Sequence, residues 1–201
     1  MTDRVIIVGG GHIGIACAHY LQQDGHDVTV IDQGEIGGAC SRANCGFIVP
    51  SHVLPLTTPD APLQGIRSIF QPKAAFRVKP QLRGSLARWM WEFGRRCTQT
   101  RMLAASETLH SLLEASASQY DTLLSSPALE RGCQTNGMLF VFRSAKALQD
   151  FSKTDTLLSS EYGLSARLIP SDDLQEFEPT LLDGLAGAYF YEGDSHLGPI
   201  A

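Results

Sequence analysis

Six residues near the amino terminus, Gly9-Gly10-Gly11-His12-Ile13-Gly14, follow a G-x-G-x-x-G spacing, and an acid, Asp32, stands eighteen residues beyond the last glycine. The chemistry open to such a set is anion and sugar binding by the backbone. A glycine at position 9 permits a tight turn. One at position 11 has no Cβ, so the main chain can approach a pyrophosphate, and one at position 14 lets a helix pack closely. The unpaired amides and positive dipole end of that helix complement phosphate charge. Asp32 is suited to accept hydrogen bonds from ribose hydroxyls, and it would repel the additional phosphate of NADP. A turn of this composition also occurs as a plain structural connection, so its surroundings decide its meaning.

Those surroundings are a strand, a helix and a second strand. Val5-Ile6-Ile7-Val8 is a continuous β-rich apolar run, as expected of a strand in a parallel sheet. Ile15 to Asp24 reads as a helix in which the small Ala18 extends the close-packing face, and Gly25 suits its C-terminal cap. Val28-Thr29-Val30-Ile31 reads as strand two and ends at Asp32. This is the βαβ context that a dinucleotide-binding turn requires.

A second loop follows, Gln33 to Ile48, rich in small residues. It can bring backbone amides and short side chains, Ser41 and Asn44, against a polar ligand, with Arg42 available to neutralise phosphate. An ordinary surface turn is the competing reading. Cys40 and Cys45 lie within it, but no second pair follows at zinc-site distance, and the six histidines are scattered, so no metal site is expected.

The chain has 201 residues, 43% hydrophobic and 18% charged, in the range of a soluble globular protein. A net charge of −5 leaves no global basic footprint, so nucleic acid is not an expected partner. No run approaches the roughly 20 apolar residues of a transmembrane helix. The first strand starts within four residues of Met1, which leaves no space for a secretory signal, and the five cysteines fit reduced thiols better than a disulfide framework. The expected compartment is cytoplasmic. After Asp32 the β-α-β alternation of a simple NAD-binding domain does not continue; a glycine- and proline-spaced stretch runs from Gln33 to about Pro80. This argues against an NAD-dependent dehydrogenase.

Ile6 to Gly14, Asp32 and the loop Gly38-Ala39-Cys40-Ser41 to Ala43-Asn44-Cys45-Gly46 together resemble the N-terminal part of the FAD-dependent D-amino acid oxidase superfamily. The resemblance is greatest to the bacterial D-amino acid dehydrogenase group (small subunit), with its hydroxyproline dehydrogenase-like members. It implies an α/β fold, α+β overall: a Rossmann-like FAD-binding βαβ unit in residues 1–80, followed by a helical insertion and part of a mixed-sheet substrate domain in residues 81–201. It further implies that Gly9, Gly10, Gly11, His12, Ile13, Gly14, Asp32, Gln33, Gly38, Ala39, Ser41, Asn44, Cys45 and Gly46 lie along FAD. Phe47 and Ile48 would approach the isoalloxazine. His52 follows this loop and, read from its position alone, either faces the substrate or is a plain polar loop residue. The activity implied is oxidation of a D-amino acid or cyclic imino acid, the Cα hydrogen passing as hydride to the flavin and the imine being hydrolysed. Oxygen or a quinone would be the final acceptor.

The remaining elements follow more loosely. Ser85 to Ser125 reads as one long helix with apolar positions Leu86, Trp89, Met90, Phe93 and Cys97, then Leu109, Leu112, Leu113, Tyr120 and Leu124, taken as core packing. Pro127 would close it. Gly137 to Phe142 reads as a strand, Ser144 to Tyr162 as a helix, Asp172 to Pro179 as a short helix and Gly187 to Tyr191 as a strand, with the acids Asp172, Asp173 and Glu178 on solvated surface. The superfamily's substrate-carboxylate cation and final FAD contacts come later than Ala201. The chain is therefore expected to be an N-terminal fragment, inactive alone, with exposed sheet edges and apolar surface. A non-catalytic nucleotide-binding role remains the alternative.

Overall fold

A computed structural model describes residues 3–69, 81, 83–125 and 133–197. The chain divides into two compact units, residues 3–46 with Leu197, and Phe47–His196. The expected boundary at 80/81 and the helix stop at Pro127 lie at or within stretches outside the described residues.

The first unit is the expected βαβ. Strand β1 (Arg4–Val8) pairs in parallel with β2 (Asp27–Ile31), Arg4 opposite Asp27 and Val8 opposite Ile31, and helix α1 (His12–Gln23) makes the crossover. The period-two rule then divides each strand. Val5, Ile7, Val28 and Val30 are half-buried, whereas the opposite face is open, with Ile6 60%, Val8 86% and Ile31 50% exposed. Gly25 follows the helix in the left-handed region at φ +87°, as a C-terminal stop demands.

The second unit is built on an antiparallel sheet, β5 (Met138–Phe142), β7 (Gly187–Tyr191) and β6 (Arg167–Pro170), with β7 central. Both faces are covered. Phe140, Phe142, Tyr189 and Tyr191 pack with Leu148, Phe151, Leu158 and Tyr162 of helix α5 (Ala145–Tyr162). Leu139, Val141, Ala188 and Phe190 pack on the other side with Leu174 and Phe177 of helix α6 (Leu174–Phe177) and with Leu181 and Leu185. Helix α5 starts where the Ser144 hydroxyl accepts a hydrogen bond from the Ala147 amide at 3.2 Å. A small second sheet has the order β3 (Phe47–Ile48), β8 (Ser195–Leu197), β4 (Cys133–Gln134).

Three sequence expectations need correction. The single helix from Ser85 to Ser125 is two, α3 (Gly84–Gly94) and α4 (Gln99–Leu124). Gly94 ends the first, and Thr98, in extended backbone, begins the second. The supposed core stripe is covered only in part: Cys97 is buried, but Trp89 is 52% and Leu112 64% exposed. Finally, the breaker-rich stretch after Gln33 contains helix α2 (Ala61–Ile69), which carries Pro62 in its first turn, where proline is tolerated.

Candidate functional site

The glycine turn between β1 and α1 is shaped by three demands on its backbone. Gly9 adopts φ +109°, and its amide donates to the Ile31 carbonyl at 2.8 Å, joining the turn to the end of β2. A Cβ on Gly14 would strike the Gly9 carbonyl oxygen and meet Ile7 Cγ2 at 3.4 Å, so this glycine permits the helix to approach both the turn and the strand. At Gly11 a Cβ would meet only the Ser41 hydroxyl, at 3.0 Å. That spot is otherwise open, as close approach of a ligand requires.

The first turn of a helix lacks intrahelical acceptors for its amides. That of His12 donates to Ser41 Oγ at 2.9 Å, while those of Gly11, Ile13 and Gly14 make no hydrogen bond among the described residues. Open donors, a dipole end and a bare Cα form an anion-binding arrangement.

Asp32 is the electrostatic centre. Its Oδ2 accepts from the Gly10 amide at 2.7 Å and its Oδ1 from the Gly34 amide at 2.8 Å. These bonds, the Gly10 bond first, hold the carboxyl below its ordinary value of 3.8, so it is ionised at neutral pH. A carboxylate has about four lone-pair positions, so acceptor capacity remains for hydroxyl donors. The acid thus has a structural duty that sequence reading missed, although Asp32-Gln33-Gly34 has the spacing of an Asx turn.

The second loop folds back on this turn. The Gly37 amide donates to the Gly10 carbonyl at 2.8 Å, Gly38 donates to the Glu35 carbonyl at 3.0 Å, and Ala39–Ser41 forms a 3₁₀ turn. Ser41 Oγ also lies 3.2 Å from His12 Nδ1. Ile36 occupies the space a Gly10 Cβ would need, a further contact the motif did not reveal. Asn44 Oδ1 accepts from the Gly46 amide at 2.7 Å, and a Cβ on Gly46 would strike the Leu197 carbonyl. Gln33 and Cys45 are exposed. Arg42 is 4.0 Å from Glu35 and largely solvated, a weak pair that leaves its guanidinium available. Gly9 to Gly14, Asp32, Gly38 and Ser41 are therefore brought together, with Asn44 and Gly46 farther along the same loop.

Phe47, Ile48 and His52 belong to the second unit. Phe47 pairs with His196 and Ile48 with Ser195, and the His52 ring stands edge-on to Phe140 at 5.5 Å between centroids. On either side of His52 the chain is fixed: Val53 is fully buried, and buried Ser51 donates to Asp194 through its hydroxyl at 2.6 Å and its amide at 3.2 Å. Asp194 is 1% exposed. Burial raises its pKa, opposed by the two Ser51 bonds and by the charge of His52. Ser51 and Asp194 border a cavity of about 430 Å³ with Ala166, Arg167 and Tyr191. No group of three potential metal-ligating side chains occurs among the described residues.

Solved structures share this architecture. Glycine oxidase from Bacillus cereus ATCC 14579 is 18% identical with a TM-score of 0.59, over 98% of this chain and 40% of its own. Glycine oxidase from Geobacillus kaustophilus is 21% identical with a TM-score of 0.59, over 98% and 42%. L-amino acid deaminase from Proteus vulgaris is 16% identical with a TM-score of 0.60, over 99% and 35%. The chain thus spans about two fifths of the length of the structures it matches, and these likenesses establish the fold. Residues 4–201 match the family described as DAO, FAD dependent oxidoreductase. With nearly every residue covered by that match, the chain belongs to the DAO family of FAD-dependent oxidoreductases.

Proposed function

We propose that this chain provides the nucleotide-binding part of an FAD-dependent enzyme that oxidises a D-amino acid or a cyclic imino acid. The observation that carries this reading is Asp32, an ionised acid with acceptor capacity still open, beside a turn whose amides at Gly11, Ile13 and Gly14 have no partner among the described residues. When bound, the flavin supplies the redox chemistry by accepting hydride from the substrate Cα.

The chain's own residues bind and orient. The amides of Gly11, Ile13 and Gly14 hold the diphosphate, assisted by the dipole of α1. Asp32 accepts from the ribose hydroxyls, its position held by the Gly10 and Gly34 amides, and Gln33 lies along the cofactor. Gly38, Ala39, Ser41 and Asn44 line the cofactor, with Cys45, Gly46, Phe47 and Ile48 toward its ring. His52 faces the substrate. A substrate carboxylate requires a cation, best an arginine fork. Oxygen or a quinone would serve as the final electron acceptor.

Flavin retained by the 201-residue chain through gel filtration is the test. The wild type is expected to carry the visible flavin band, and Gly11→Val and Asp32→Ala to lose it. Unchanged flavin content in both variants would overturn the assignment. Anaerobic bleaching of that band by a D-amino acid or by proline enantiomers reports turnover. Binding without bleaching is the result expected of the chain by itself, which spans about two fifths of its relatives' length.

A further inference from the structure

Both tryptophans of the chain, Trp89 and Trp91, stand on the 11-residue helix α3. They are 52% and 63% exposed, and no residue of the helix is fully buried. Leu86, Met90 and Phe93 recur at helical spacing and are half-buried, so one stripe is turned toward the protein. Trp91 lies off that stripe. Arg88 precedes it by three residues and Arg95 follows it by four, which puts all three on one face. The Arg95 guanidinium lies 4.9 Å from the Trp91 ring centroid, and Trp89 stacks on Phe93 at 5.2 Å.

The local charge is opposite to that of the whole. Residues 83–101 contain five arginines and one glutamate, a net of +4 in a chain of net −5. Glu92 is bracketed by Arg95 at 3.6 Å and Arg96 at 3.9 Å. Arg83, Arg88 and Arg101 make no ion pair among the described residues.

We infer that α3 docks on the surface of an anionic phospholipid bilayer, with the Trp91 indole among the headgroups and Arg88 and Arg95 on lipid phosphates. Indole favours the headgroup level, and an aromatic helix flanked by arginines lies in the plane of the interface. Anionic lipid attracts each arginine within a Debye length. No described helix is long and apolar enough to cross a membrane, so the contact is superficial. A bilayer is favoured over single-stranded nucleic acid because base stacking needs open ring faces. Arg95 lies over one face of Trp91, and Phe93 stacks on one face of Trp89.

Tryptophan emission reports on α3 alone, and this makes the test direct. The 201-residue chain is mixed with vesicles of phosphatidylglycerol and phosphatidylcholine, with pure phosphatidylcholine vesicles, and with a single-stranded oligonucleotide. Co-sedimentation and a blue shift are expected only with the anionic vesicles, weakening as salt rises. Arg88→Glu with Arg95→Glu should reduce partitioning by about tenfold or more. Trp91→Phe should abolish the shift and Trp89→Phe should preserve it. Absence of partitioning, equal partitioning on both vesicle types, indifference to the arginine reversals, or a response confined to the oligonucleotide would each overturn the inference. The comparison of vesicle types uses the wild type, so it decides even if a substitution unfolds the chain.

Discussion

The two central sheets differ in how many of their faces the chain covers. In the first unit, α1 covers one face of a two-stranded parallel sheet, and Val8 remains 86% exposed. In the second unit, β7 has helix α5 on one side and α6 on the other, and Ala188 is fully buried. The sequences of β1 and β7 are similarly apolar. Apolar content alone therefore does not determine burial; what differs is the number of elements available to pack over each strand. The second unit buries apolar residues on both faces of its sheet, and the first half-buries them on one face only.

The largest expected effect follows from that contrast. Leu174 is 2% exposed, and Leu174→Ala should cost about 2–5 kcal/mol in urea unfolding, because the lost contacts leave a cavity. A cost below about 1 kcal/mol would show that the α6 side of the sheet is not a packed core.

Ser51→Ala ranks next. It leaves the buried Asp194 carboxylate without its hydroxyl donor, and should destabilise the second unit by about 1–3 kcal/mol. Asp194→Ala combined with Ser51→Ala should recover part of that loss, a pattern a simple packing defect would not produce.

Two aspartates sharpen the comparison through pH. The Asp32 pKa is lowered by the Gly10 and Gly34 amides. Its contribution is present above the unfolded value of 3.8 and is lost as pH falls through the folded pKa. The Asp194 pKa is raised by burial. Its ionisation opposes folding, so its own contribution is present below the unfolded value of 3.8 and is lost as pH rises through the folded pKa. Amide hydrogen exchange followed across this range should show protection of β1 and β7 shifting in opposite directions. Asp32→Asn should flatten the first trend and Asp194→Asn the second; parallel trends would contradict the two environments.

The smallest effect is expected on the open face. Ile6 is 60% exposed, and Ile6→Thr should change stability by no more than about 0.5 kcal/mol. A loss comparable with that of Leu174→Ala would mean that a further element covers β1 in solution.

Much of this was legible in the sequence where the rule is local. The βαβ unit, the left-handed Gly25 stop and the Ser144 start of α5 depend on residues within a few positions of one another. Contacts distant in sequence were not legible. Ser51 and Asp194 are 143 residues apart, and neither has a short-range pattern to betray the bond. Strand β6 escaped notice because Arg167-Leu168-Ile169-Pro170 is brief and ends in proline. The break between α3 and α4 was signalled by Gly94 and Thr98, but the apolar periodicity on both sides obscured it.

In the candidate site, the motif identified the turn and the acid but not their mutual support. Gly34, Ile36 and Gly37 complete the turn from outside the fingerprint, through the bond to Asp32, the contact beside Gly10 and the bond to the Gly10 carbonyl. Cα spacing alone does not reveal such contacts.

Because the Asp32 carboxylate is fastened at both oxygens before any nucleotide arrives, its acceptor positions are preorganised. Ordering of that side chain is completed as the chain folds; in the role proposed for Asp32, encounter with a ribose would follow lock-and-key rather than induced fit. Residence time, set by how many hydroxyl and phosphate contacts must break together, is then where ligands sharing the adenosine end would differ.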